Sequence, residues 1–243
     1  MPEGPSIVIL KEQASGFAGK KIVRVEGNTS IAKERLTGQR IVDLRSWGKH
    51  FLIELPDFSL RVHFMLWGSY RINERKEAAP RLGLGFAKGE LNLYSCSVKF
   101  IEEPLDLVYD WRTDVMSDDW DPALARKRLR AQPGTLVCDA LLDQDLFAGV
   151  GNIIKNEVLF RIRVHPLSTV AALPAAKLRE LVREARRYSF DFFEWKKAYV
   201  LRKHWLAHTR HTCPRCGIPF LKAHLGKTMR RSFVCESCQV LYE

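Results

Sequence analysis

The chain has 243 residues, 46% of them hydrophobic, a net charge of +11 and a pI near 9.5. That hydrophobic share excludes a disordered chain, and the length supports one large domain or two modest ones with real cores. No apolar run approaches the roughly 18 residues that span a bilayer, and Glu3, Lys11 and Glu12 interrupt any leader-like core, so a cytosolic or nucleoid-associated protein is expected, with no membrane contact.

The chain starts Met1-Pro2-Glu3-Gly4-Pro5. Loss of Met1, which a small second residue permits, leaves Pro2 as a secondary amine next to the carboxylate of Glu3. A chain-terminal amine titrates near neutrality, so its free form can attack an electrophilic carbon and build a Schiff base. Glu3 can move protons at the same centre. A Met-Pro start alone is common and does not establish this chemistry. A helix is predicted from about Pro5, suited to a first turn, to about Gly16, with Ile7, Leu10 and Ala14 inward.

Strand-like runs follow at 21–27, 40–46, 50–55, 60–72, 81–86 and 91–102, separated by short Gly, Pro or Asp turns. They predict a β-sandwich behind the first helix, together a domain over 1–105. Lys49 follows Gly48 at a strand start, where a lysine is ordinarily solvated. The stretch His63-Phe64-Met65-Leu66-Trp67-Gly68 reads either as sandwich core or as a wedge that enters a base stack.

Residues 106–120 hold Asp106, Asp110, Asp114, Asp118 and Asp119 and read as a linker. Asp121-Pro122 supplies an N-cap and a first-turn proline. A helical domain is predicted over 121–208, with helices at 121–131, 135–144, 152–160 and from 174 to about 208. Gly149 and Gly151 sit in a turn that Asn152 follows as the opening of a helix. This turn is either a phosphate site at a helix N-terminus or an ordinary packing corner.

Cys213, Cys216, Cys235 and Cys238 form a C-x₂-C-x₁₈-C-x₂-C pattern, within the spacing of structural zinc sites. Four thiolates close the shell of one structural Zn²⁺ and leave no open position for water. Disulfides suit a basic cytosolic chain poorly. Strands at 220–225 and 229–234 predict a zinc-bound β-hairpin over 209–243, with Lys227, Arg230 and Arg231 at or near its tip. Cys96 and Cys138 are isolated in apolar surroundings and read as small buried hydrophobes. From Lys196 onward ten Lys or Arg stand against two Glu, so most of the net charge lies here and points to a polyanion, nucleic acid first.

Together these pieces resemble the formamidopyrimidine-DNA glycosylase / endonuclease VIII family. The resemblance rests on Pro2-Glu3-Gly4-Pro5, on Arg45-Ser46-Trp47-Gly48-Lys49, on Leu141-Leu142-Asp143-Gln144 with Ala148-Gly149-Val150-Gly151-Asn152, and on the four-cysteine finger, and it spans almost the whole chain. It implies an α+β protein with an N-terminal sandwich, a helix–two-turn–helix domain and a zinc finger, with damaged DNA bound between the two halves. Pro2, Glu3 and Lys49 match the family's catalytic positions. Lys49, Asn152 and Arg230 match those that grip phosphates around a lesion. Met65, Leu66 and Trp67 align with residues that fill the space left by the flipped nucleotide. The implied activity is bifunctional, glycosylase and AP lyase, with no redox or nucleotide cofactor; a monomer is the default expectation for quaternary state.

Leu93-Tyr94-Ser95-Cys96-Ser97 and the first residues look like the endonuclease VIII branch, and no Arg-x-Phe stands between Arg81 and Pro104 to match the oxidised-purine branch. Oxidised pyrimidines are therefore the expected substrates. The alternatives are an oxidised-purine glycosylase and a non-catalytic protein that recognises damaged DNA. One departure is Ser6, where the family usually has a glutamate thought to help open the sugar ring. A zinc-finger transcription factor fits poorly, because one finger lacks a partner helix for base readout and a dimer seam.

Overall fold

The computed structural model describes residues 2–243, so Met1 and its removal lie outside the described residues. The chain divides into two compact units, one ending at Asp110 and one running Trp111–Glu243. None of the described helices is long and apolar enough to cross a membrane.

The first unit opens with α1 (Gly4–Ala14), with Pro5 in its first turn and Glu3 extended at the N-cap. Ile7, Leu10 and Ala14 are buried as the periodicity predicts. Six strands follow: β1 (Ile22–Glu26), β2 (Asp43–Trp47), β3 (His50–Glu54), β4 (Ser59–Ile72), β5 (Leu82–Phe86) and β6 (Glu90–Ile101). All pair antiparallel in the order β1-β5-β6-β4-β3-β2. The sandwich is thus made from one continuous sheet, because the long β4 and β6 run through both halves. Leu44, Phe51, Leu60 and Val62 from one half share a core with Ile22, Leu84 and Leu91 from the other, and α1 packs into it.

The β4–β6 ladder breaks at a single place. Phe64 pairs with Cys96, and the next pair is Ser69 with Tyr94. Five steps along β4 thus match two along β6, which leaves three surplus residues on β4. In β6, Ser95 takes φ 48, and the inward set changes from Leu91 and Leu93 to Cys96 and Val98. Inside the bulge, a Cβ on Gly68 would lie 2.6 Å from the Phe64 Cβ and 2.9 Å from the Ser95 carbonyl oxygen. Only glycine fits there.

The second unit contains α3 (Pro122–Arg130), α4 (Val137–Ala140), α5 (Gln144–Phe147), α6 (Asn152–Arg161), α7 (Ala175–Lys197) and the hairpin β7 (Leu221–Leu225) and β8 (Arg230–Val234); the short α2 (Leu105–Val108) belongs to the first unit. Its core gathers Val115, Leu129, Leu141, Phe147, Ile154, Leu181 and Tyr188. Asp121 caps α3 by accepting from the Ala123 and Leu124 amides.

Three sequence expectations differ from the observed elements. The acidic 106–120 segment is folded chain rather than linker: Asp114, Val115 and Trp120 are buried, and the unit boundary falls inside it, after Asp110. Its two apolar side chains anchor it in the second core despite the charge around them. The helix predicted over 135–144 divides into α4 and α5, because the Asp143 carboxylate accepts from the Asp145 amide and starts a new helix. The last long helix stops at Lys197 rather than near 208. Tyr199 takes the left-handed conformation at φ 59, and the Val200 and Tyr199 amides donate back to the Trp195 and Lys196 carbonyls at 2.9 and 3.1 Å. This is a Schellman stop with tyrosine in the place usually held by glycine.

Gly68→Ala is expected to destabilise the first unit by about 1–3 kcal/mol, the usual range for forcing one extra carbon into close packing. Denaturant unfolding followed by tryptophan fluorescence and circular dichroism measures it; an unchanged midpoint would mean the bulge yields freely.

Candidate functional site

The first unit holds Pro2, Glu3, Lys49 and residues 65–67. Pro2 is half-buried immediately before α1, and Glu3 is buried at the helix N-cap, where its carbonyl accepts the Ser6 amide at 2.8 Å. Lys49 is the second residue of a two-residue hairpin between β2 and β3, one position earlier than the predicted strand start. Gly48 provides the positive φ of 54 that this tight turn needs, and Trp47 pairs with His50 across it. The turn holds Lys49 at a hairpin tip, half-buried.

A cluster that the sequence reading did not single out adjoins Lys49. His50 and His63 are cross-strand partners, with ring centroids 5.4 Å apart. The Tyr109 hydroxyl and His50 Nδ1 are 3.2 Å apart, and the Trp47 indole donates to the Asp110 carbonyl at 3.0 Å. Burial, followed by the charges of Arg61, His63 and Lys49, pushes the His50 pKa down to about 3. His63 is lowered in the same direction, first by burial. The available signal was the equal distance of these two histidines from the β3–β4 turn, which places them opposite each other.

Met65, Leu66 and Trp67 are three of the four unpaired residues of the β4 bulge, the fourth being Gly68, and Trp67 is 83% exposed. They are therefore not sandwich core. The ladder excludes them, and the bulge presents them to solvent as an apolar projection.

The second unit holds Asn152, Arg230 and the four cysteines. Gln144 braces the glycine turn: its amide group donates to the Leu142 and Val150 carbonyls, and its oxygen accepts the Gly149 amide. Asn152 then opens α6 as predicted, and its side-chain amide donates to the Arg231 carbonyl at 3.1 Å. The same carbonyl accepts from Asn156 at 3.1 Å and from Lys155 Nζ at 3.3 Å. Lys155 also donates to the Ser232 hydroxyl at 2.8 Å. Asn152 is therefore a partner of β8, and Arg230 is half-buried at the start of that strand. The sequence reading passed over Lys155, Asn156 and Glu157, which are buried on α6. Three consecutive charged or amide side chains in a helix otherwise rich in Ile, Val, Leu and Phe were the available signal.

The four cysteine sulfurs lie within 4.8 Å of one another, with Cys213 and Cys238 Sγ 3.9 Å apart. Sulfurs around one tetrahedral ion bonded at about 2.3 Å would stand roughly 3.8 Å apart, so the cluster fits a metal ion. The Arg215 guanidinium lies over the Phe160 ring at 3.8 Å and reaches Cys238 Sγ at 3.5 Å. It ties the first cysteine knuckle to α6 and brings positive charge to the sulfur cluster.

Comparison with known proteins agrees with this architecture. The formamidopyrimidine-DNA glycosylase N-terminal domain family matches residues 1–100, and the formamidopyrimidine-DNA glycosylase H2TH domain family matches residues 113–188. Endonuclease 8-like 3 of Xenopus laevis is 30% identical over 217 residues, covering 84% of this chain and 35% of that protein. Endonuclease 8-like 2 of Bos taurus is 34% identical over 198 residues, 74% of this chain and 58% of its own length. The chain thus spans between a third and three-fifths of these relatives. Endonuclease 8 2 of Mycobacterium tuberculosis is 29% identical over 261 residues, covering 98% of this chain and all of that protein. Among solved structures, a formamidopyrimidine-DNA glycosylase of Lactococcus lactis bound to DNA containing an AP site superposes with a TM-score of 0.85 at 23% identity, covering 98% of this chain and 99% of that one. A viral DNA glycosylase gives 0.86 at 18% identity, with 98% and 100% coverage. A sandwich behind one helix, a two-turn helical unit and a four-cysteine hairpin in this order define one class of protein. The chain belongs to the formamidopyrimidine-DNA glycosylase / endonuclease VIII family.

The depressed His50 pKa has a consequence for stability. A histidine with an ordinary pKa of 6.5 when unfolded and about 3 when folded takes up its proton first in the unfolded chain. Its contribution is complete above pH 6.5 and is lost as the pH falls towards 3. The denaturant midpoint of the wild-type protein should therefore fall between pH 7 and pH 5, and His50→Gln should flatten that fall. Equal slopes for the two proteins would contradict the assignment.

Proposed function

We propose that this chain is a bifunctional DNA glycosylase and AP lyase of base excision repair that acts on oxidised pyrimidines. The observation that carries the proposal is the Pro2-Glu3 pair, with Glu3 buried at the N-cap of α1, in a chain that belongs to this family. The amine of mature Pro2 attacks the sugar C1′ and the glycosidic bond to the damaged base breaks. The sugar ring then opens as the C1′–O4′ bond breaks and O4′ takes up a proton, and the resulting iminium withdraws electrons, so the C2′ proton becomes acidic. Its removal expels the 3′ phosphate, and a second elimination releases the 5′ phosphate. Glu3 donates and accepts the protons. Lys49, at its hairpin tip, completes the catalytic set and, with Asn152 and Arg230, grips the phosphates around the lesion. Met65, Leu66 and Trp67 occupy the gap left by the extruded nucleotide.

The cysteine cluster holds one Zn²⁺ in this reading. The metal braces the hairpin and takes no part in the chemistry, since four thiolates fill its shell. The pyrimidine preference draws support from the endonuclease 8 names of the relatives and from the absence of an Arg-x-Phe between Arg81 and Pro104. Ser6, buried in α1, offers no carboxylate for the part that the family's glutamate is thought to play in opening the sugar ring, a difference that bears on substrate range and rate.

The test uses mature protein on duplexes carrying thymine glycol, dihydrouracil, a hydantoin, 8-oxoguanine or an abasic site. Borohydride should trap a covalent protein–DNA adduct on the abasic and oxidised-pyrimidine strands, and Pro2→Gly should remove most of it. Undiminished trapping in the variant would displace Pro2 as nucleophile. Preferential trapping on 8-oxoguanine would reassign the branch, and no trapping at all would leave a DNA-recognition protein.

A further inference from the structure

We infer that Asp139 is a positioning residue that fixes the finger tip, and through it Arg230, for phosphate contact; the inference rests on the proposed DNA-binding function. Asp139 lies on α4, far in sequence from the finger. Its carboxylate nevertheless accepts the Lys227 amide at 2.9 Å, the Thr228 amide at 3.1 Å and the Thr228 hydroxyl at 3.1 Å. These donors belong to the turn between β7 and β8. The turn closes tightly on the carboxylate: a Cβ on Gly226, which has φ +72, would stand 2.5 Å from Asp139 Oδ1. A side chain at that position would be strained by the positive φ and would displace the carboxylate from the turn.

Residues 195–234 contain no Asp or Glu, and the hairpin carries Lys227, Arg230 and Arg231. Asp139 therefore sets a negative charge against the basic tip, at a place where a charge of that sign opposes the approach of a polyanion. An anion in this position is unexpected unless it is needed to hold the turn. Its carboxylate accepts from three turn donors, two of them backbone amides, so it organises the loop itself rather than one side chain. The body of β8 is held separately, from its second residue onward, by Asn152, Lys155 and Asn156 on the Arg231 carbonyl and by the Phe233 amide donating to Asn156. Arg230 lies between these two anchors. With the tip released, Arg230 keeps its charge and its pairing with Leu225 but loses one of the two anchors that fix it.

Electrostatics and positioning make opposite predictions. Asp139→Ala and Asp139→Asn each remove one negative charge. If charge alone mattered, both variants would bind DNA more tightly and to the same degree. If Asp139 positions the turn, alanine removes every acceptor, whereas asparagine keeps one oxygen for Thr228 and fails at the Lys227 amide. The order of affinity is then wild type, Asp139→Asn, Asp139→Ala.

The measurement is the Kd of the zinc-loaded full chain for a duplex containing a non-cleavable tetrahydrofuran abasic analogue, over a series of salt concentrations. Zinc content is determined alongside. Asp139→Ala should raise Kd about five- to ten-fold and make the salt slope shallower by about one phosphate contact, with one zinc per chain retained. Asp139→Asn should recover part of the affinity, and Thr228→Val should show a smaller loss than Asp139→Ala. Should Asp139→Ala fail to fold, the Asn and Val variants carry the same comparison. Equal or tighter binding by the variants, with an unchanged slope, overturns the inference. Failure of the wild-type protein to bind the duplex would instead refute the DNA-binding function on which it rests.

Discussion

The second unit depends on a carboxylate taken wholly out of water. Glu157 of α6 is fully buried, and its two oxygens accept the backbone amides of Leu206, Ala207 and His208 at 2.8 to 3.0 Å, with Arg161 3.6 Å away. A buried charge without such donors would be strongly unfavourable, so the contact fixes the segment that leads into the cysteine hairpin. That hairpin has little core of its own. Its apolar cluster consists of Cys213, Phe220, Phe233 and Cys235 with Ala207 and Phe160, and Phe160 is lent by α6. One helix thus mounts the finger three times: by the Glu157 carboxylate, by the Phe160 ring and by the polar bonds of Lys155 and Asn156 to β8. A cluster this small does not hold a fold by hydrophobic burial, which is the setting in which a metal contributes most.

The first unit solves a different problem. It must expose bulky apolar side chains without losing the sheet beneath them. The β4 bulge does this by count: three residues more on one strand than on the other must leave the ladder, and the ladder resumes with Ser69 paired to Tyr94. Phe64, Val62 and Leu60 before the bulge stay buried, and Tyr70 and Ile72 after it pack against the same core. The projection at 65–67 is therefore mounted on a rigid base on both sides.

Much of this was legible in the residues. Pro5 and the Ile7, Leu10, Ala14 spacing gave the first helix, alternation gave the strands, and the cysteine spacing gave the finger. What stayed hidden depends on contacts between distant segments. Whether Met65–Trp67 is core or projection depends on the register of β4 against β6, and β6 lies about thirty residues further along. The end of α7 was missed because tyrosine, not glycine, holds the left-handed stop; helical pattern continues through Tyr199 and is overruled by two backbone bonds. The linker reading of 106–120 weighed its aspartates and missed Val115 and Trp120. Asp139 and Glu157 looked like solvated helix charges. Their partners are backbone amides some fifty to ninety residues away, and backbone amides leave no trace in a sequence pattern.

Cys96 and Cys138 sit apart from all of this. Both are buried, and burial pushes their pKa values up to about 12 and about 11. Peroxide reacts with the sulfur anion, not with the neutral thiol. These two sulfurs are therefore shielded from oxidants by poor solvation alone. Cys216 and Cys238 are only half-buried, within reach of an oxidant in solution, so their survival under oxidative stress rests on whatever occupies the cluster between them.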